Sequence, residues 1–152
     1  MIRIFPMTAE QVDAVSALSA QCFSEPWSSA LIEAEIQNPR GEILVAEKDG
    51  VFAGFVSLSF VLDEGTINNI AVSVEMRRTG IAKALLSEAD RFALERGLSF
   101  LTLEVRMSNK AAQALYLSHG YESVGVRRGF YQKPTEDALL MTRFYTEERN
   151  MI

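Results

Sequence analysis

The sequence predicts an α/β fold with a mixed central sheet of about seven strands, flanked by about four helices. Apolar residues recur at the strand period and at the helical period in alternating segments, in the order β-α-α-β-β-β-α-β-α-β-β. Strands separated by helices require a parallel part of the sheet, whereas strands joined by short turns form hairpins. The 152 residues fit one core, so we expect a single domain over 1–152.

The N-terminal segment predicts one strand followed by two helices. Ile2–Phe5 is a short strand that stops at a proline. Thr8 and Gln11 have the spacing of a capping box, which starts the first helix. The segment Glu25-Pro26-Trp27 interrupts the helical pattern, and one of the two serines at 28 and 29 starts a second helix that reaches about residue 37.

Three strands follow in the middle of the chain. Ile43–Glu47 and Val51–Leu62 are joined by Asp49-Gly50, a dipeptide typical of hairpins because both residues tolerate positive φ. Thr66–Val74 is the third strand, and it is rich in β-branched side chains. The three segments therefore predict a continuous antiparallel part of the sheet.

The C-terminal half alternates between helices and strands. An apolar stripe from Ile81 to Ala93 predicts a helix that ends before Gly97. In the strand that follows, Leu101, Leu103 and Val105 alternate with polar residues, so one face is buried. Ser108 or Asn109 caps a further helix, which ends at Gly120. The last two predicted strands cover about Glu122–Gly129 and Ala138–Tyr145.

Composition excludes several classes of protein. The net charge of −5 and the absence of a basic stripe argue against nucleic-acid binding. The longest apolar stretch, 51–62, is too short to span a membrane, and residues 1–8 lack the apolar core of a signal peptide, so we expect a cytoplasmic location. The single cysteine, Cys22, excludes an intrachain disulfide, and with one histidine, His119, it predicts no metal site.

The segment from Arg77 to Ala82 is the first candidate for chemistry. It joins the strand containing Asn69-Ile70-Ala71-Val72 to the helix near Ile81, and it contains Gly80 with a small residue two positions later. Free backbone N–H groups at a helix start attract anions, and small residues there allow a pyrophosphate to approach. The alternative is a plain strand–loop–helix corner with solvated arginines.

Glu104, Asn109 and Tyr116 form the second candidate group. Strand alternation puts Glu104 on the face opposite Leu103 and Val105, and Tyr116 lies two turns into the next helix, so both can reach one cleft at the end of the sheet. A carboxylate and a phenol suit acyl transfer to an amine, because the amine loses a proton and the departing thiolate gains one. The alternatives are a surface carboxylate, a core aromatic and a simple helix cap.

Together these segments resemble the GNAT acetyltransferase superfamily. The acyl-CoA loop of that family reads Gln or Arg-x-x-Gly-x-Gly or Ala, and this chain has Arg77-Arg78-Thr79-Gly80-Ile81-Ala82. The resemblance is strongest to the ribosomal-protein-alanine N-acetyltransferases, whose motifs occur in family order across most of the chain. These motifs are Pro26-Trp27-Ser28, Asn69-Ile70-Ala71-Val72, Leu103-Glu104-Val105-Arg106, Ser108-Asn109, Ala114-Leu115-Tyr116, Gly120-Tyr121, Arg127-Arg128, Tyr131 and Glu136-Asp137-Ala138-Leu139-Leu140-Met141.

The resemblance implies a sheet splayed near its middle, with acetyl-CoA entering the gap. It implies that Glu104 is the general base, that Tyr116 protonates the CoA thiolate, and that no metal takes part. The implied acceptor is the N-terminal amine of a protein, such as a ribosomal protein that begins with alanine. The implied cofactor contacts are Ile70, Ala71, Val72, Arg77, Arg78, Thr79, Gly80, Ile81, Ala82, Lys83 and Asn109. The residues implied to wall the acceptor are Pro26, Trp27 and Tyr131.

Two departures from the family pattern concern the acceptor side. Glu25 stands where relatives often have an apolar residue, and the segment between Tyr131 and Asp137 is shorter than in some members. From the residues alone, a wedge at the helix entry is favoured for Pro26-Trp27 over a wall of the substrate site. The alternatives to N-terminal acetylation are transfer to a small amine or a lysine side chain, or binding of acyl-CoA without turnover. The presence of both Glu104 and Tyr116 favours an enzyme over a protein that binds acyl-CoA without turnover.

Overall fold

A computed structural model of the chain describes residues 1–145, and residues 146–152 of the predicted domain lie outside the described part. The strands are β1 (Ile2–Pro6), β2 (Gly41–Lys48), β3 (Val51–Val61), β4 (Glu64–Val72), β5 (Phe100–Arg106), β6 (Glu122–Tyr131) and β7 (Glu136–Phe144). The α-helices are α1 (Val12–Cys22), α2 (Ser29–Ala34), α3 (Ile81–Glu95) and α4 (Lys110–Ser118), and short 3₁₀ turns cover Ala9–Gln11, Glu35–Gln37 and Val74–Met76.

The strands form one mixed sheet in the order β1-β2-β3-β4-β5-β7-β6. Strands β1 to β4 are antiparallel neighbours, β4 and β5 are parallel, and β7 lies antiparallel between β5 and β6. The predicted fold class, a mixed seven-stranded sheet with four helices, is confirmed for the described part of the chain. None of the helices within residues 1–145 is long and apolar enough to cross a membrane.

The helix ends follow the capping rules that the sequence predicts. The Thr8 N–H donates to Gln11 Oε1 at 2.8 Å, which is one half of the capping box. Ser28 is the residue that caps α2, because its hydroxyl accepts a hydrogen bond from the Leu31 N–H at 3.2 Å. At the end of α3, Gly97 has a φ of +65°, a conformation that glycine adopts without steric cost.

The boundaries of β4 differ from the predicted strand Thr66–Val74. The strand begins at Glu64, which pairs with Val61 across a tight turn, and it ends at Val72. Val74 instead starts a 3₁₀ turn that leads to α3. The prediction missed this because β-branched side chains favour a strand locally, whereas the pairing with β3 sets where the strand stops.

The sheet separates between β4 and β5. These parallel strands pair only over Glu64–Thr66 and Phe100–Thr102, although β4 continues to Val72 and β5 to Arg106. A β-bulge in β4 lies at the start of the separation, because Asn69 pairs with Ser57 while Ile67 pairs with Leu58, which leaves Asn68 as the extra residue. A bulge bends its strand and increases the local twist, so it helps to turn β4 away from β5.

Two apolar clusters fix the helices on opposite faces of the sheet. In β3, Val56 and Leu58 belong to the cluster under α3, whereas Phe55 belongs to the cluster under α1, as the strand period requires. Burial of a side chain of this size contributes about 1.5–3 kcal/mol, so both faces are firmly anchored. The separated ends of β4 and β5 are therefore held apart by a well-packed scaffold.

Candidate active site

A cleft of about 620 Å³ occupies the gap between β4 and β5. Its floor is formed by the parts of the two strands that no longer pair, and its rim by the α1–α2 connection, the start of α4 and the end of β6. The lining residues are Cys22, Phe23, Ser24, Glu25, Thr66, Ile67, Asn68, Asn69, Ile70, Leu103, Glu104, Val105, Arg106, Asn109, Tyr116, Phe130, Tyr131 and Gln132.

Glu104 enters the cleft from one face of β5. The alternation along the strand buries Leu103 and Val105 in the core and leaves Glu104 half-buried on the opposite face. One carboxylate oxygen, Oε1, lies 3.5 Å from Nη1 of Arg127, and the Glu104 side chain is 27% exposed to solvent. A partly exposed ion pair at this distance is weak, so Arg127 does not hold the carboxylate in one fixed arrangement.

Tyr116 enters the same cleft from the other face of the sheet. It is buried in the cluster that contains Leu103 and Val105, and its ring centroid lies 5.9 Å from that of Tyr121. Burial chiefly, and the nearby Tyr131 phenol secondarily, raise the pKa of Tyr116 to about 12. The phenol therefore keeps its proton at neutral pH and can act as a donor.

Asn109 stands at the N-terminus of α4 and lines the cleft. Its side-chain Oδ1 accepts a hydrogen bond from the Ala112 N–H at 3.2 Å, so it is a helix cap, the alternative considered from the sequence. The Gln113 amide supports the same corner by donating to the carbonyl oxygens of Arg106 and Met107, both at 3.0 Å. The start of α4 is thus fixed against the end of β5 beside Glu104.

The loop before α3 presents an uncapped helix N-terminus. Arg78 and Gly80 both adopt the left-handed conformation, with φ of +64° and +89°, and no described side chain caps the first turn of α3. The N–H groups of Ile81, Ala82 and Lys83 occupy the first-turn positions that an α-helix leaves without internal partners. A Cβ atom added to Gly80 would meet only Ile2 Cδ1, at 3.9 Å, so the approach is open.

Two side chains of this loop serve to fold it. Arg77 Nε donates to the Val72 carbonyl oxygen at 3.3 Å, and its Nη2 lies 3.9 Å from Cys22 Sγ. The Thr79 hydroxyl donates to the Met76 carbonyl oxygen. Arg78 and Lys83 are exposed. The loop and the first turn of α3 thus offer backbone N–H groups and two exposed cations, while Arg77 and Thr79 hold the shape of the loop.

The free edge of β4 leads from that loop into the cleft. Beyond Thr66 the edge that faces β5 has no strand partner, so the backbone at Ile70, Ala71 and Val72 borders the gap. Ala71 is buried against α1, whereas Ile70 and Val72 are half-buried. These three residues connect the α3 N-terminus with the position of Glu104.

The predicted acceptor residues occupy different environments. Tyr131 lines the cleft, and burial first, then the negative charge of Glu104, raise its pKa to about 12. Pro26 is exposed and Trp27 packs against the cluster under α1, with its N–H donating to Ser19 Oγ at 2.9 Å. The cleft wall here consists instead of residues 23–25, so Pro26 and Trp27 fix the turn that shapes the wall.

Several lining residues were not singled out from the sequence. Asn68 carried a usable signal, because it stands beside a second asparagine inside a run of β-branched residues, a pattern typical of a bulge, and bulges often adjoin active sites. Arg106 lies in one of the family motifs, but the sequence predicted no role for it. Phe130 and Gln132 carried no local signal, because only the position of β6 beside β7 brings them to the cleft.

The cysteine and the histidine lie in separate places. Cys22 is half-buried at the cleft edge, while His119 pairs with Asp90 through a 2.9 Å contact between Nε2 and Oδ2 at the far side of α4. Among residues 1–145, no group of three or more His, Cys, Asp or Glu side chains is arranged to hold a metal ion.

Comparison with known proteins identifies the family to which this chain belongs. The acetyltransferase (GNAT) family profile matches residues 12–121 of the chain. The chain therefore belongs to the GNAT family of acetyltransferases. Within that family, the chain is similar to the ribosomal-protein-alanine N-acetyltransferases of bacteria, which confirms the resemblance noted in the sequence.

Three relatives illustrate this similarity. The ribosomal protein bS18-alanine N-acetyltransferase of Escherichia coli strain K12 is 40% identical over 120 residues, which cover 76% of this chain and 79% of the relative. The N-alpha-acetyltransferase RimI of Mycobacterium tuberculosis is 32% identical over 148 residues, covering 93% and 92%. The crystal structure of the Escherichia coli ribosomal-protein-S18-alanine N-acetyltransferase superposes with a TM-score of 0.85 at 33% identity, covering 95% of this chain and 94% of that chain.

Proposed function

We propose that this enzyme transfers the acetyl group of acetyl-CoA to the N-terminal α-amine of a protein, a ribosomal protein that begins with alanine. The observation that carries the proposal is the meeting of Glu104 and Tyr116 in one cleft, from opposite faces of the splayed sheet. The names of the similar enzymes from Escherichia coli and Mycobacterium tuberculosis support the acceptor.

Acetyl-CoA binding is assigned to the α3 N-terminus and the free edge of β4. The first-turn N–H groups and the helix dipole favour the pyrophosphate, and the exposed Arg78 and Lys83 add positive charge. From there the pantetheine arm runs along the backbone of Ile70 to Val72, which no neighbouring strand covers. Asn109, which lines the cleft at the start of α4, contacts the same substrate.

The reaction is a direct transfer through a ternary complex. Glu104, directly or through one water, takes a proton from the acceptor ammonium, and the neutral amine forms a bond to the thioester carbonyl carbon. Backbone N–H groups polarise the carbonyl oxygen. When the carbon–sulfur bond breaks, Tyr116 supplies the proton that the CoA thiolate takes up, and its raised pKa keeps that proton in place until then. The nitrogen loses its second proton to solvent as the amide forms, Glu104 releases its proton to solvent, and solvent returns a proton to the Tyr116 phenolate.

The α-amine suits a single carboxylate base. An α-amino group has a pKa of about 7.7–8.0, whereas lysine has about 10.4, so far more of the α-amine is neutral near pH 7. The net charge of −5 and the exposed Glu25 at the cleft edge favour a basic acceptor protein. A lysine side chain lacks the advantage of the lower pKa.

The acceptor assignment predicts a sharp effect of blocking the amine. Two peptides of one sequence, each with N-terminal alanine and an internal lysine, are incubated with enzyme and acetyl-CoA, and one has its N-terminus acetylated beforehand. We expect the blocked peptide to react about 100-fold more slowly or not at all, measured by mass spectrometry of the products. Equal rates would shift the assignment to lysine, whereas reaction of a polyamine or aminoglycoside alone would indicate a small-amine enzyme. Acetyl-CoA binding without any product would indicate a non-catalytic module.

Tyr116→Phe is expected to slow transfer by about tenfold while the fold survives. The ring and its packing remain, and a thiol with a pKa near 8.5 leaves fairly well without a proton donor, so the loss is smaller than that of the base. Because burial raises the pKa of Tyr116 to about 12, the ratio of wild-type to mutant rates should stay constant from pH 6 to pH 10. Tyr121→Phe is the matched control, since that phenol is buried beside Tyr116 but does not line the cleft. Wild-type turnover in Tyr116→Phe would leave Tyr116 a packing residue.

A further inference from the structure

Arg106 is the last residue of β5 and lies two positions after Glu104. Residues two apart on a strand share a face, so both side chains emerge on the same side of the sheet, and both line the cleft. The Arg106 side chain is only 23% exposed to solvent. Arg106 therefore lies between β5, which carries the proposed base Glu104, and the wall of the cleft on the acceptor side.

The guanidinium of Arg106 donates four hydrogen bonds. Nη1 donates to the Pro134 carbonyl oxygen at 3.0 Å and to Glu136 Oε1 at 3.2 Å. Nη2 donates to the Gln132 carbonyl oxygen at 2.9 Å and to Ser24 Oγ at 3.1 Å. These acceptors lie in two stretches that are far apart in sequence: the α1–α2 connection, and the β6–β7 connection with the first residue of β7. The Arg106 side chain thus ties the end of β5 to both stretches.

The same guanidinium also contacts a residue of the acceptor wall. Its central carbon lies 4.5 Å from the centroid of the Tyr131 ring, a cation–π contact. Ser24 reinforces the junction, because its hydroxyl donates to the Gln132 carbonyl oxygen at 3.0 Å while accepting from Arg106. Ser24 of the α1–α2 connection is therefore tied to Gln132, the first residue of the β6–β7 connection, beside Tyr131 at the end of β6.

Glu136 completes the arrangement from the other side. Its Oε2 accepts a hydrogen bond from the Ser108 N–H at 2.6 Å, and its Oε1 accepts from Arg106. Hydrogen bonds from Ser108 and from the Arg106 guanidinium hold the pKa of Glu136 below its usual value. The charge of Arg106 is thus neutralised within the structure, which leaves the guanidinium a fixed tie rather than a free cation for a ligand.

We propose that Arg106 is a positioning residue that sets the width of the acceptor channel, by tying the α1–α2 connection to the β6–β7 connection beside Glu104. This inference rests on the proposed function, because it assumes that the acceptor enters between these connections. Only a planar guanidinium reaches all four acceptors together, so lysine cannot replace it. Arg106 acts on the acceptor through Ser24, Tyr131 and Gln132, and it leaves the acetyl-CoA contacts at α3 untouched.

The test compares Arg106→Lys, Arg106→Gln and Ser24→Ala with the wild type. For the alanine-initiated peptide we expect the KM to rise about tenfold or more in both Arg106 variants and about threefold in Ser24→Ala. The kcat should stay within about threefold, and the acetyl-CoA Kd, measured by calorimetry, should not change. Arg91→Gln is the control, because Arg91 lies on the exposed side of α3, where its ion pairs within residues 1–145 are with Glu88 and Glu95. A fall in kcat with an unchanged peptide KM would overturn the proposal.

A measurement that needs no acceptor peptide tests this proposal separately from the proposed function. Amide hydrogen exchange in residues 23–27 and 130–135 should become faster in Arg106→Gln and in Ser24→Ala, while exchange in α3 remains as in the wild type. Unchanged exchange in both connections would show that Arg106 does not tie them, even if the peptide is a substrate. Faster exchange in the variants, together with a wild-type enzyme that does not acetylate the peptide, would leave the tie in place and reject the peptide acceptor. Should the Arg106 variants fail to fold, Ser24→Ala alone decides, since it removes one exposed hydroxyl.

Discussion

Glu104→Gln is expected to lower turnover by about 10²–10⁴-fold at neutral pH, while the acetyl-CoA Kd stays near the wild-type value. Glutamine keeps the size and the hydrogen-bonding reach of the side chain but cannot accept the proton of the ammonium. The deficit should shrink as the pH rises through the pKa of the acceptor amine, about 7.7–8.0, because the amine then loses its proton to solvent. Steady-state kinetics between pH 6 and pH 10, with acetyl-CoA binding measured by calorimetry, tests both parts.

Two control variants show whether a loss of turnover in Glu104→Gln comes from the missing base. Glu95→Gln makes the same chemical change on the exposed side of α3 and should behave as the wild type. Arg127→Gln removes the cation that lies 3.5 Å from Glu104 and leaves the carboxylate in place. If Arg127→Gln lost as much turnover as Glu104→Gln, the ion pair and not the base would explain the loss. A folded Glu104→Gln enzyme with near-wild-type turnover at neutral pH would remove Glu104 from the base role.

Gly80→Glu is expected to weaken acetyl-CoA binding by about 10- to 100-fold. A side chain at this position starts in open space before the first turn of α3, where the pyrophosphate is proposed to sit, and its carboxylate would repel that anion. Calorimetric titration with CoA at two salt concentrations measures the effect, which should decrease at the higher ionic strength because part of it is electrostatic.

Gly80→Ala separates charge from backbone strain. Gly80 has a φ of +89°, so any residue with a Cβ is strained there by about 1–2 kcal/mol, and both variants share this cost. We expect Gly80→Ala to lose thermal stability to the same extent as Gly80→Glu but to bind CoA several-fold more tightly. Equal CoA affinities in the folded wild type and Gly80→Glu would place the pyrophosphate elsewhere.

Much of the local structure follows from the sequence alone. The capping box at Thr8, the left-handed Gly97 and the alternation around Glu104 each depend on residues that are neighbours along the chain, so the pattern is sufficient to predict them. The order of the elements, and hence the fold class, is determined in the same way. The loop at Gly80 was also predictable, because a glycine with a positive φ before a helix has a local cause.

The cleft between β4 and β5 depends on tertiary structure. Strands β4 and β5 stop pairing after Thr66 because the bulge at Asn68 and the two anchored faces of the sheet turn them apart, and no local pattern encodes that competition. The same separation lets Tyr116 and Glu104 meet from opposite faces. The insertion of β7 between β5 and β6 brings Tyr131 to the cleft, where Arg106 contacts it.

Periodicity and capping are short-range effects, which the sequence determines by itself. The places where strands pair or separate, and the reach of one guanidinium to Ser24, Gln132 and Glu136, are set by long-range packing. For this reason roles for Glu104, Tyr116 and Gly80 could be predicted from the sequence, whereas the cleft that Glu104 and Tyr116 both line, and the packing of Trp27 outside that lining, required the folded chain.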